Sequence, residues 1–149
     1  MQTSLAARMM SALMGTAMLT FGILKFFHPF KDWYGAQVSG SGMGPIAYFM
    51  GIGGEILAGL LFAIALLFRR SLPGALTRRI AGAASVLVMV LMATGIYVHL
   101  QPGVPASVLP MNIKPPYLPA GLGLMAVIHL WLLSRQAGLS SRKLRAAGV

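Results

Sequence analysis

The chain has 149 residues, of which 57% are hydrophobic and only 9% charged, with a mean hydropathy of +0.78. That balance excludes an ordinary soluble domain. The formal charge of +10 would point to nucleic acid in a soluble protein, but the cations here stand at the ends of apolar stretches, where anionic lipid attracts them, so we set that class aside. The absence of cysteine removes disulfides, thiol relays, cysteine-ligated zinc and iron–sulfur clusters, so any redox role needs a bound cofactor or a partner.

Four apolar stretches, Met9–Phe27, Gly44–Phe68, Ile80–Leu100 and Tyr117–Leu133, each approach the ~20 residues that a helix needs to cross a bilayer. They predict an all-α fold: one membrane domain over residues 1–149, built as a four-transmembrane-helix bundle. The first stretch follows Arg8 as a secretory signal would. It continues to Phe27 without an A-x-A site, however, and Lys25 and His28 do not suit a cleavage junction, so it reads as a retained helix. Met10, Met14 and Met18 form an i, i+4, i+8 stripe, which reads as packing rather than soft-metal passage.

The connection from His28 to Met43 opens with Pro29 and carries Trp33 and Tyr34, rings suited to the headgroup level. Its first half is expected to lie on the membrane, and Ser39–Gly42 to form a flexible turn. Pro45 then suits the first turn of the second helix.

Glu55 stands alone in an uncharged stretch. Ten residues past Pro45, it should lie about 15 Å deep, near the bilayer midplane. A carboxylate there must face protein, water or a cation, or stay protonated. Its helical face holds Tyr48, Gly51, Ala58, Gly59 and Phe62, and the glycines let a second backbone approach, so Glu55 is expected to point into the bundle. It is either a structural anchor or a proton or ligand site. Lys25, on a face with Ser11, Met14, Met18 and Gly22, is the best partner for it, because the two side chains lean toward each other across antiparallel helices. The alternative is that Lys25 snorkels to the headgroups.

A short connection, Arg69–Arg79, makes the second and third helices antiparallel neighbours. His99 ends the third helix on a face with Ser85, Val88, Met92 and Gly95. His28 and Asp32 share its level, but the spacing matches no metal motif and no metal is assigned. Beyond it Pro102, Pro105, Pro110, Pro115, Pro116 and Pro119 fall within eighteen residues, too dense for helix and too stiff for a random linker. This connection is expected to cap the bundle's outer mouth, with Met111 and Tyr117 as apolar anchors beside Trp33 and Tyr34.

In the fourth helix His129 lies among Leu122, Met125 and Leu132 and is expected to bond a hydroxyl or carbonyl of a neighbouring helix. His99 and His129 sit at different depths, which excludes haem held by this pair. A basic tail follows over residues 135–149, as a frayed interfacial helix or as disordered chain.

Nine cations, Arg8, Arg69, Arg70, Arg78, Arg79, Arg135, Arg142, Lys143 and Arg145, fall on one side of the predicted spans, and Lys25, Lys31 and Lys114 on the other. The positive-inside bias places both termini in the cytoplasm.

Arg8 before the first helix, Phe21-Gly22-Ile23-Leu24-Lys25 near its end, Gly44-Pro45, Glu55 with Gly59, Thr77-Arg78 with Ala81, and the closing Val98-His99 together resemble the DoxX-like four-helix membrane family. The resemblance rests on order and spacing and covers about Arg8 to Leu100. It implies a bundle with the lysine and glutamate facing its interior. It also implies a role near quinone-linked or other membrane complexes, without selecting one activity. The proline-rich connection and basic tail depart from the pattern.

The first functional reading is therefore an accessory or interaction protein of a bacterial-type inner (plasma) membrane, assisting or forming part of a membrane or redox complex. Its partners would be the lipid bilayer and a membrane protein or a second copy of the chain. The second is a quinone-reactive oxidoreductase subunit, in which Glu55 exchanges a quinol proton while Tyr48 or His99 bonds a ring oxygen. The third is a small proton-coupled exporter.

Overall fold

Ser4 caps the first helix by accepting a hydrogen bond from the Ala7 N–H at 3.3 Å, and α1 runs over Leu5–Leu24, earlier than its apolar run suggests. The computed structural model describes residues 4–146, and their side chains as far as Gly138. The other helices are α2 (Phe30–Gly40), α3 (Pro45–Leu67), α4 (Gly74–Leu100) and α5 (Tyr117–Ala146). No strand occurs among the described residues. Four helices, α1, α3, α4 and the Tyr117–Gly138 part of α5, are long and apolar enough to cross a membrane, which makes this a multi-pass membrane protein.

The helices outrun the hydropathy pattern because helix propensity does not stop where apolar residues stop. Arg78 and Arg79 are good helix formers, so α4 begins at Gly74 and the α3–α4 connection shrinks to residues 68–73. For the same reason α5 continues through the basic segment to Ala146. This agrees with the helical alternative for the tail as far as that residue; the end of the tail and its side chains from Leu139 lie outside the described residues. The largest departure is α2. Its eleven residues alternate apolar and polar too briefly to register as a span, yet they form a helix with Asp32 in the first turn, where a carboxylate favours the helix dipole. Ser39 and Gly40 belong to it, and the turn falls on Gly42 at φ 73°, a left-handed conformation that glycine adopts without strain.

The spans pack in the cyclic order α1, α3, α4, α5, with α5 returning to α1. Between apolar helices in lipid there is little hydrophobic drive, so close packing and polar bonds hold the ring together. Met14, Met18, Ala58, Phe62, Ala84, Val88 and Ala126 fill the centre without exposed surface. The methionine stripe is thus core packing.

At one end Ala7, Ala65, Ala81 and Leu133 meet, and Gln136 donates to Ser4 at 2.8 Å. At the other end α2 and the segment 101–116, which contains two 3-10 turns, lie over the bundle. There Val98, Val104 and Leu109 form a small buried cluster. Val104 and Leu109 are its anchors. Met111 and Tyr117, expected in that role, are 71% and 69% exposed, because the turn at Pro110–Asn112 swings Met111 outward at φ 57°.

Candidate functional site

Lys25 is the C-terminal cap of α1, just past its last turn, and its side chain reaches Glu55 in the third turn of the antiparallel α3. Nζ and Oε1 lie 2.6 Å apart, between side chains only 15% and 11% exposed. Lys25 turns to the carboxylate instead of extending to the surface. The second carboxylate oxygen, Oε2, is buried and has no hydrogen-bond partner.

Tyr34 of α2 closes the pair on one side. Its ring lies over Lys25 Nζ at 3.9 Å from the centroid, and its hydroxyl donates to the Ala47 carbonyl at 3.3 Å. The hydroxyl occupies the space where any side chain on Gly51 would lie, so that glycine is what admits the ring. Burial, followed by the negative charge of Glu55, pushes the Tyr34 phenol up to about 12.

These groups form the polar pole of a cavity of about 600 Å³. Its walls are otherwise mainly apolar, from Phe21 and Leu24 of α1 to Leu91 of α4 and Leu122 of α5, with Trp33 and Met111 at its exposed margin. The segment 101–116 covers it and is tied down by polar bonds. Gln37 Nε2 donates to the Val108 carbonyl, and Lys114 Nζ donates to the carbonyls of Gln101 and Val104. His99, which also lines the cavity, donates from Nδ1 to the Lys114 carbonyl at 3.1 Å. A carbonyl can only accept, so Nδ1 carries a proton.

The structure therefore brings Lys25, Glu55, His99, Trp33, Tyr34 and Met111 to one chamber. Tyr48 is not among its lining residues; it stacks on Tyr34 with ring centroids 5.0 Å apart, and Tyr34 stands where Tyr48 was expected to face a ligand. Tyr117 lies outside as well. His28 and Asp32 form an exposed pair at 2.6 Å, and among the described residues no three metal-ligating side chains converge.

A second polar cluster lies in the core. His129 bridges Ser11 of α1 at 3.0 Å from Nε2 and Ser85 of α4 at 2.7 Å from Nδ1, fully buried, with Phe62 edge-on to its ring. Ser85 also lies within bonding distance of the Ala81 carbonyl, to which its hydroxyl donates at 2.9 Å. One imidazole thus ties three helices. The expectation of a hydroxyl partner for His129 holds. Sequence reasoning missed Ser11 and Ser85 as its partners and missed Gln37; for the serines the signal was present, since Ser11 shares Lys25's face and Ser85 that of His99.

No family model matches the chain, and neither a curated protein nor a solved structure matches it.

Proposed function

We propose that this membrane protein is a subunit of a redox complex that holds a quinone-class ligand in the chamber, with Glu55 exchanging a proton with it. One observation carries the reading: a buried carboxylate oxygen without a partner, beside a lysine, at the polar end of a mainly apolar cavity of about 600 Å³. Such a room suits a flat, lipid-soluble ring with a few polar atoms. The resemblance to the DoxX-like family, whose relatives include quinone-linked subunits, supports the same class. The broader accessory reading contains this one, because an accessory subunit can carry the ligand. The exporter reading is weakened by Lys25, which already occupies the carboxylate that would exchange cations. The positive-inside bias puts Arg8, Arg69, Arg70, Arg78, Arg79 and Arg135 in the cytoplasm and the chamber toward the outer face of the inner (plasma) membrane.

The test is purification in mild detergent or native lipid discs, followed by mass spectrometry of extracted lipophiles and of co-purifying proteins. A quinone-class lipophile, recovered as the quinol or as its oxidised quinone, at a substantial fraction of the protein is the expected result. A stoichiometric protein partner with no bound quinone would favour the accessory reading instead.

A further inference from the structure

We infer that the chamber selects the reduced, hydroxyl-bearing form of its ligand, a hydroquinone or similar ring-borne diol, over the oxidised quinone. The inference rests on the ligand class proposed above and concerns which hydrogens the site lacks.

The donors around the cavity are largely spent inside the protein. Tyr34 O–H goes to the Ala47 carbonyl, one of the two Gln37 amide N–H groups to the Val108 carbonyl, and Thr94 O–H to the Val90 carbonyl at 3.0 Å. His99 Nδ1–H goes to the Lys114 carbonyl. Lys25 gives one N–H to Glu55 Oε1, and the Tyr34 ring covers another side of the ammonium. Lys25 keeps N–H groups to spare, enough for one ligand oxygen, and the Trp33 indole sits at the margin, 39% exposed. One acceptor, in contrast, is open: Glu55 Oε2 on α3 is buried without a partner.

A quinone brings two carbonyl oxygens and no hydrogen. Set in this chamber it leaves Glu55 Oε2 unsatisfied and adds a repelled lone pair beside a carboxylate. A hydroquinone brings two O–H groups, one of which can donate to Glu55 Oε2. Sites built to bond a substrate hydroxyl reject the analogue lacking it strongly, because the site's own buried polar group is then left unpaired.

The experiment uses the purified full-length protein in phosphatidylcholine discs. Binding is measured anaerobically for a benzoquinone with a ten-carbon tail, for the same molecule reduced to the hydroquinone, and for the dimethyl ether of that hydroquinone. The hydroquinone should bind at least tenfold more tightly than either of the others. For a two-electron couple each tenfold preference raises the midpoint potential of the bound ligand by about 30 mV, an independent readout. A tailed resorcinol, which cannot form a quinone, should bind like the hydroquinone if hydroxyl donation is what the site reads. Quinone or ether binding as tightly as hydroquinone would overturn the inference while leaving the quinone-class reading intact. Failure of all of these probes to bind would overturn both. Glu55→Gln, which exchanges an acceptor for an amide donor, should bring the hydroquinone-to-quinone ratio toward one. The wild-type comparison decides the matter even if that variant does not fold.

Discussion

Lys25 and Glu55 stabilise the bundle only as a pair. Removing one partner leaves a largely buried charge unpaired, a loss of about 3–5 kcal/mol, whereas removing both charges relieves it. Lys25→Met and Glu55→Gln together should therefore harm stability less than the sum of the single changes, with a coupling of roughly 0.5–3 kcal/mol measured by unfolding in detergent. A strictly additive cycle would show the contact to be energetically idle. Tyr34 offers a second readout. Its phenol, pushed up to about 12, stays neutral in the fold while the unfolded chain ionises near pH 10, so its contribution is intact below about pH 10 and is lost as pH rises through the folded value. Ultraviolet titration should find a late-ionising phenolate that disappears in Tyr34→Phe; an unchanged titration would place the late group elsewhere.

Among the elements, α1 and α3 approach most closely where glycine removes the side chain. A Cβ on Gly59 would stand 3.0 Å from the Gly15 carbonyl and drive into Leu19, while one on Gly53 of the same helix would meet nothing. Gly59→Ala should thus destabilise the bundle, by the 1–3 kcal/mol or so typical of overpacking. Gly53→Ala should leave it unchanged or stabilise it by up to about 1 kcal/mol through helix propensity. Equal effects at the two positions, compared by thermal unfolding, would contradict the crossing described. The segment 101–116 depends instead on Lys114, whose ammonium gathers two of its carbonyls. Lys114→Met should speed amide hydrogen exchange across residues 103–113 at least tenfold relative to α3. No change would mean that Val104 and Leu109 hold the segment without it.

For the molecule as a whole, charge separates the two ends. Arg8 of α1, Arg69 and Arg70 just past α3, Arg78 and Arg79 of α4 and Arg135 of α5 lie toward the end where Ser4 meets Gln136, and the chamber occupies the other. Since the chain has no cysteine, single cysteines can report sidedness without background. Ser39 and Ser71 are both exposed, one at each end. In intact cells Ser39→Cys should react with an impermeant thiol reagent and Ser71→Cys only after permeabilisation. The reverse pattern would turn the chamber to the cytoplasm and overturn the proposed orientation.

How much of this was legible in the chain depends on the range of the interaction involved. Span number and the inward face of Glu55 follow from local rules, because a bilayer demands about 20 apolar residues and penalises a lone carboxylate. Pro45 opening α3 is equally local, as its missing N–H has no partner to lose there. The Lys25 partnership was only half legible: periodicity set both faces, but snorkelling and pairing differ by the depth at which two distant helices meet. Tertiary structure alone decided that α2 is a helix whose Tyr34 seals the ion pair, that Val104 and Leu109 anchor the proline-rich segment, and that Ser11 and Ser85 share His129. In each case the stabilising contact joins residues far apart in sequence, and no local pattern records which hydroxyl, carbonyl or glycine waits on the opposite wall.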